Sequence, residues 1–379
     1  MKFLIGFVCL LLVSCQKNSS GTEKAITSNS NNYSQLKYAK SFSIKAFEDY
    51  YKVEIIEPWP NADLSYSYLF YKKGAEIPAD VDVDHKIQIP VKKLIVSSTT
   101  HIPPIEALDE LESIVGFPNT SYISTPEARD LIDRGKIKDI GNTQSINTEL
   151  VLDLAPECLI TFAVKGENKA ISTIENANIP ILYNADWVEQ HPLGKTEWIK
   201  FFGILFDKTE EANRIFEEIK TAYEKAKALA TKSSETPTVI SGSLWKDQWY
   251  LPGGNSWQAK FMADANADYL YADTPETGSL SLSLESVLVK AKDAEFWVSP
   301  AQFTSYAQMK NENAFYGEFR AFRSQNVYTF AKEKEETGGA IYYELASHRP
   351  DWVLKDLIHI FHPELLTDYD PHFFKPLDP

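Results

Sequence analysis

Cysteine is almost missing from this chain: Cys9, Cys15 and Cys158 are all there are. Cys9 falls in an apolar leader, so neither a disulfide framework nor a four-thiolate metal site can be assembled. Cys158, inside the run PECLITF, reads as a small buried hydrophobe. Positive charge is also short. Thirty-eight Lys plus Arg against 53 Asp plus Glu leave a net charge of −15 at pH 7, which opposes binding to nucleic acid or an anionic membrane through bulk electrostatics. No stretch approaches the ~18 apolar residues that a membrane-spanning helix needs. The sequence contains no G-x-S-x-G elbow, H-E-x-x-H, P-loop or dinucleotide G-x-G-x-x-G, and Gly253-Gly254-Asn255-Ser256 lacks the spacing of a phosphate fingerprint. The chain is therefore not expected to be an enzyme. Its seven His residues are scattered, and only His359 and His362 lie close together. No carboxylate or His cluster accompanies them, so no metal site of the protein's own is expected.

What is abundant is aromatic. Eight Trp, 19 Tyr and 21 Phe exceed the usual demand of a core and point to an aromatic-lined surface or pocket. At 379 residues with 44% hydrophobic content, the chain suits two lobes plus an extension.

Residues 1–14 have a basic start (Lys2), then an apolar run too short to span a bilayer, as in a secretory signal. Leu12-Val13-Ser14-Cys15 resembles the bacterial lipobox, in which Cys15 is lipidated and becomes the mature N-terminus; an ordinary signal with an incidental Cys is the other reading. Both imply export, and lipidation would tether the protein to a bacterial membrane, on its periplasmic side, without spanning it. Residues 15–37 are polar and read as a flexible tether. Residues 38–92 have β texture, with alternation through Leu64, Tyr66, Tyr68 and Phe70.

From residue 93 strands alternate with helices, which predicts α/β lobes with mainly parallel sheets: a first lobe over 93–206 and a second over 233–379. In the first lobe a strand at 93–100, a helix at 105–115 and another strand near Tyr122 are expected. Between the lobes, residues 207–232 hold one long helix. Ile215, Phe216, Ile219, Tyr223 and Ala226 recur at helical spacing, and Asp207 or Thr209 can cap its start. The segments SINTELVLDLA (145–155) and SLSLESVLVKA (281–291) share Ser, Glu, Val, Leu and Ala at matching places. Each runs into a short apolar strand, which suggests a duplicated Rossmann-like lobe.

Ligands of parallel sheets sit off the carboxyl ends of the strands. That places residues 98–102, 163–166 and 184–188 at the mouth of the first lobe. In the second lobe the mouth is 245–249, 253–256, 277–279, 299–300 and 338–343. His101 belongs to the first set. Trp187, Trp245, Trp249 and Tyr342 are the candidates for stacking on a bulky chelate, although for any one of the Trp residues taken singly core or lobe packing is the favoured reading. Gly254 and Asn255 lie in a tight turn that permits close backbone approach. Arg323 or Arg349 could pair with an anionic ligand, Arg349 more readily with a neighbouring acid.

The stretches INTELVLDLAPECLIT, YLPGGNSWQAKFMADANADYL, SLSLESVL and ASHRPDWVLKDLIHIFHPEL, in that order over roughly 93–366, resemble the periplasmic substrate-binding proteins of ABC importers for cobalamin and ferric siderophores. The resemblance implies two lobes on one rigid linking helix and a ligand between them: a ferric siderophore, cobalamin or a haem-type chelate. It implies no cofactor of the protein's own, any metal arriving inside the chelate, and a monomer that docks on a permease dimer. In that family one surface Glu on each lobe meets permease arginines, and the matching positions are Glu149 and Glu285. Their other reading is local, since a carboxylate in a helix first turn behind Asn147 or Ser283 is favourable by itself. The competing function is a surface lipoprotein with a protein or glycan partner and no transport.

Overall fold

The computed structural model describes residues 36–77, 81–163, 168–334 and 338–379. The leader, Cys15 and most of the tether lie outside these residues, as do positions 164–166 of the expected first-lobe mouth.

The β-textured segment forms a four-stranded sheet, β1 (Phe42–Ala46), β2 (Tyr50–Ile55), β3 (Tyr66–Lys72) and β4 (His85–Ile89), in that spatial order. Its first three strands are antiparallel, and β4 runs parallel to β3. Strand alternation sends Tyr68 and Phe70 to one face and Leu69 to the other, and all three are fully buried. The first face merges with Leu94, Val96, Phe201, Phe202 and Phe216 into a single core. Leu69 packs with Phe47 and Tyr50 on the reverse. The extension is thus one wall of the first lobe.

The first lobe follows with β5 (Leu94–Val96), α1 (Ile102–Ala107), β6 (Ile114–Phe117), α2 (Pro126–Asp133) and β7 (Lys138–Asp139). Next come a small hairpin β8 (Gly141–Asn142) and β9 (Ser145–Ile146), α3 (Thr148–Leu154), β10 (Cys158–Thr161), α4 (Lys169–Asn176), β11 (Ile181–Tyr183), α5 (Pro192–Glu197) and α6 (Ile199–Leu205). Its parallel sheet has the order β11-β10-β5-β6-β7. Cys158 is buried in it, as expected. The helix expected at 105–115 is shorter. Pro103 and Pro104 suit its first turn, but the chain leaves the helix at Asp109, whose φ is 55°, and Val115 belongs to β6. Tyr122 lies in a 3₁₀ turn, not a strand.

The linking helix is α7 (Thr209–Ala230), whose 22 residues run about 33 Å. Its buried stripe is split between the lobes: Ala212 and Phe216 enter the first-lobe core, Tyr223, Ala226 and Ala230 the second. One continuous helix rooted in two cores resists a hinge. Neither expected cap forms. Asp207 takes a left-handed φ of 54° and its carboxylate meets Lys72 Nζ at 2.8 Å, while Thr209 is already the first helical residue.

The second lobe comprises β12 (Thr238–Ser241), β13 (Ser243–Trp245), β14 (Gln248–Pro252), α8 (Trp257–Asp264), β15 (Asp268–Tyr269), β16 (Ser279–Leu282), α9 (Leu284–Ala291), β17 (Phe296–Val298), α10 (Tyr306–Glu312), α11 (Arg320–Arg323), β18 (Val327–Thr329), α12 (Ile341–Leu345), α13 (Pro350–Phe361) and β19 (Lys375–Pro376). Its main sheet has the order β15-β12-β17-β18-β19, parallel except for β19. The stretch after β12, expected at the mouth of the lobe, forms an antiparallel sheet, β13-β14-β16. With the edge strands β7 and β19 set aside, both sheets have the same order, β6-β5-β10-β11 and β15-β12-β17-β18, the lobe's second such strand lying outside its first and the other two following on the far side. In each, the helix carrying the repeated motif, α3 or α9, leads into the strand that pairs with the lobe's first on the far side, β10 or β17. The sequence repeat is thus a repeat of topology.

Candidate ligand-binding cleft

The carboxyl ends of β5, β6 and β10 deliver Ser97, Phe117 and Phe162 to one side of a cavity of about 560 Å³. Gly339, Ala340, Tyr343 and Glu344, on α12 and the residues just before it, close it from the other lobe. That volume lies within the few hundred to ~1,000 Å³ of small-molecule sites. Three partly exposed rings face the opening: Tyr122 (61% exposed), Tyr343 (50%) and Phe162 (36%).

Local chemistry fixes the first-lobe wall. After Phe117, Asn119 adopts a left-handed φ of 57°, a conformation Asn tolerates better than most residues, and a 3₁₀ turn then presents Tyr122. Asp139 holds this turn by accepting the Thr120 and Gly141 amides at 3.0 and 2.8 Å. Burial raises the Asp139 pKa, but these donors outweigh it and leave the carboxyl below its usual range. Ser97 donates to Thr161 Oγ1 at 2.7 Å, tying the tips of β5 and β10. Asn142 Oδ1 accepts the Gln144 and Ser145 amides, closing the β8–β9 turn on the rim.

The lobes are pinned beside this cavity by Glu344 of α12, which is 2% exposed. Its carboxylate accepts the Ser124 amide at 2.6 Å, the Thr125 amide at 2.9 Å and the Thr125 hydroxyl. Gly339 lies against the same segment: a Cβ there would stand 3.4 Å from Ser124 Oγ and 3.5 Å from Tyr122 O. Behind the contact, Glu106 is raised to about 7 by burial, a side-chain hydrogen bond with Glu127, and the charges of Glu127 and Glu344.

The residues expected to bind ligand are not gathered in one place. Trp249 is fully buried, its indole N–H donating to Ser241 O at 3.0 Å, and packs on Trp297, Tyr316 and Phe319. It cannot stack on a ligand. Tyr342 is likewise a core residue, stacked on Phe330 with ring centroids 4.5 Å apart. The exposed ring is its neighbour Tyr343, because successive residues of a helix point about 100° apart. His101 is 1% exposed and sits against Phe202, where burial lowers its pKa to about 4; it has no face on the cleft. Trp187 and Trp245 are exposed at 37% and 63% but do not line this cavity. One face of Trp245 is covered by Lys246 Nζ, 4.3 Å from the ring centroid. Tyr122, Phe162 and Tyr343 were missed because exposure of a single ring within a loop leaves no periodic signal.

Gly254 and Asn255 line a second cavity of about 550 Å³, with Tyr38, Lys40 and His191. A Cβ on Gly254 would lie 2.5 Å from Ala272 O and from Thr274 O, so this glycine serves close packing of its own turn. The wall opposite is the chain's entry segment. Buried Glu197 accepts the amides of Lys37, Tyr38 and Ala39, and buried Glu189 those of Lys40 and Ser41. Tyr38 also donates its hydroxyl to Glu224 of α7 at 2.8 Å.

The candidate cations and ligating imidazoles have other partners. Arg349 pairs with Asp351 through two bonds of 2.9 and 2.8 Å and lies over Trp352, while Arg323 donates to the carbonyls of Gly317 and Glu318. His359 and His362 contact the backbone carbonyls of Leu366 and of Ala265 and Asn266.

Glu149 and Glu285 are both exposed and both second in their helices. Asn147 Oδ1 caps the first through Leu150 N and Ser283 Oγ the second through Ser286 N. Among the described residues neither carboxylate has an ion-pair partner. They occupy equivalent places on the two lobes, and an exposed aliphatic follows each by one turn, Leu152 (44%) and Val289 (85%).

A family model described as periplasmic binding protein matches residues 96–333. The chain is 25% identical to an uncharacterised lipoprotein of Methanocaldococcus jannaschii, across 98% of this chain and 95% of that one. Among solved structures, a periplasmic heme binding protein from Pseudomonas aeruginosa superimposes with a TM-score of 0.56 at 18% identity, over 76% of this chain and 99% of that one. A possible iron-binding, periplasmic solute-binding protein from Staphylococcus epidermidis gives 0.55 at 17%, over 72% and 99%. At these identities the structural likeness speaks for the fold alone.

Proposed function

Because this chain belongs to the family of periplasmic binding proteins, we propose that it captures a metal chelate between its lobes and delivers it to an ABC permease. It is a solute-binding protein and not an enzyme. The observation that carries the chelate reading is the 560 Å³ cavity where the strand ends of one lobe meet α12 of the other, edged by Tyr122, Phe162 and Tyr343. Rings of this kind give a bulky, partly apolar ligand a large contact area. Similar folds carry names that include heme and iron binding, which supports iron chelates and haem as the class to try first, with corrinoids kept in the panel.

Delivery is assigned to Glu149 and Glu285. Two exposed carboxylates on equivalent helices, held at a fixed separation by α7, form a bivalent docking code that both permease subunits must satisfy together. The chain is exported and held at a membrane by a lipid on Cys15. The lipoprotein name of its relative supports the anchor, and among the described residues no helix is long and apolar enough to cross a membrane.

Thermal unfolding against haemin, cyanocobalamin and ferric siderophores tests the reading. Ligand at ~100 times its dissociation constant adds about 2.7 kcal/mol of stability. A shift with one member of the panel is expected. No shift with any of them would return the molecule to a protein- or glycan-binding role.

A further inference from the structure

A second cavity, of about 460 Å³, adjoins the cleft, and α12 divides the two. Ala340 and Tyr343 line the cleft, whereas Ile341, Leu345 and His348 line the second cavity. Glu344 borders both. The first lobe is divided at the same place: Tyr122 belongs to the cleft, Ser124 and Thr125 to the second cavity. Beneath the partition, α12 packs on the turn Thr99–His101 and on α1, so Thr99 on the cleft side leads along the chain to Pro103 and Ala107 on the other. The partition is closed where Glu344 accepts the Ser124 and Thr125 amides and Gly339 lies against Ser124. Ser124 Oγ is buried at this closure and has no hydrogen-bond partner among the described residues. A buried hydroxyl left unpaired is costly, and a ligand group reaching it removes that cost.

We propose that the two cavities are one binding site, and that a bulky, partly apolar chelate fills both by displacing the partition. The inference rests on the chelate reading above and gives it dimensions. The second cavity nearly doubles the space within reach, and Pro103, Ala107, Pro126, Ile341 and Leu345 give it a largely apolar wall. The body of the ligand gains burial there, while its polar edge meets the Ser124 hydroxyl and the amides that Glu344 releases. Opening the partition asks no hinge of α7. A local shift of about 2 Å, the scale of loop adjustments on binding, breaks the Glu344 bonds, and water or the ligand then satisfies their donors.

A disulfide across the partition tests this. A Cβ on Gly339 would stand 3.4 Å from Ser124 Oγ, a separation that a Cys pair at these positions can bridge. Cys158, the free cysteine among the described residues, is buried and does not compete. The full chain in detergent is titrated calorimetrically with haemin, cyanocobalamin and ferrioxamine B. The oxidised Ser124→Cys, Gly339→Cys protein should bind the probe preferred by the wild type on the order of tenfold or more weakly, and reduction should restore it. Ala107→Trp fills the second cavity from a wall that the cleft does not share. It should weaken the same probe by a similar factor, with thermal unfolding of the unliganded variant showing that it folds. Equal affinity of the oxidised and reduced forms, or an unchanged affinity of folded Ala107→Trp, overturns the two-cavity inference and leaves the chelate reading standing. Binding of no probe by the wild type overturns the chelate reading itself.

Discussion

Replacing Glu344 by Ala is the most informative single change, because one side chain both joins the lobes and edges the cleft. The substitution strips acceptors from three donors in the buried pair Ser124 and Thr125. A buried donor left unsatisfied costs about 1–3 kcal/mol, so three give an upper bound of roughly 9 kcal/mol. The site borders a cavity, and water entering there can satisfy part of the loss. We therefore expect a net destabilisation of about 3–5 kcal/mol, the lower half of the per-donor range summed over the three donors. Glu344→Gln keeps one oxygen but turns an amide N–H₂ toward a donor, and should cost roughly 1.5–3 kcal/mol. Urea unfolding followed by tryptophan fluorescence reads both. A signature specific to the junction accompanies them. Glu106 owes part of its elevation to about 7 to the charge of Glu344, after burial and Glu127, so its pKa should fall in either variant. A loss below ~1 kcal/mol for Glu344→Ala, within the ordinary range for surface changes, would refute the view that this carboxylate holds the lobes together.

Three further outcomes are expected. Glu149→Ala together with Glu285→Ala should abolish uptake with ligand affinity unchanged; an equal fall in affinity would place them in the pocket or the fold. Trp249→Ala should cost about 3–5 kcal/mol by emptying the space against Trp297 and Phe319, and a ligand-affinity loss without that destabilisation would contradict its core placement. Burial lowers His101, His191 and His348 to about 4 from an unfolded value near ~6.5. The unfolded chain therefore takes up protons that the native state refuses, and stability should fall as pH drops from about 6.5 toward 4. Glu106, raised to about 7, has the opposite sign: its contribution is complete below its unfolded pKa and is lost as pH rises through 7. Denaturant midpoints at pH 7 and pH 5 give the balance, and a higher midpoint at pH 5 would show that the buried imidazoles do not dominate.

The parts of the molecule that a repeating pattern encodes were legible. Phe216, Ile219, Tyr223 and Ala226 announce α7 because burial on a helix must recur every three to four residues. The matched SINTELVLDLA and SLSLESVLVKA announce the doubled topology because each leads through a helix into an equivalent inner strand, β10 or β17. The cleft was legible only as loops at strand ends. Which ring in such a loop faces solvent depends on distant packing. Tyr342 is taken up by Phe330 and Phe374, and Trp249 by a cluster whose members come from β17 and from residues 316–319. Glu344 lies 220 residues from Ser124, the donor it meets. Nothing near it in the chain marks it as a latch.

The entry segment has a mechanical consequence. Five successive amides, from Lys37 to Ser41, are held by the carboxylates of Glu197 and Glu189. A pull on the chain ahead of Lys37 therefore meets five backbone bonds gathered on two buried carboxylates before it reaches β1. Through Tyr38 and Glu224 the segment is fastened to the second-lobe half of α7. A mooring line made fast there swings the whole hull and does not pry open the hold.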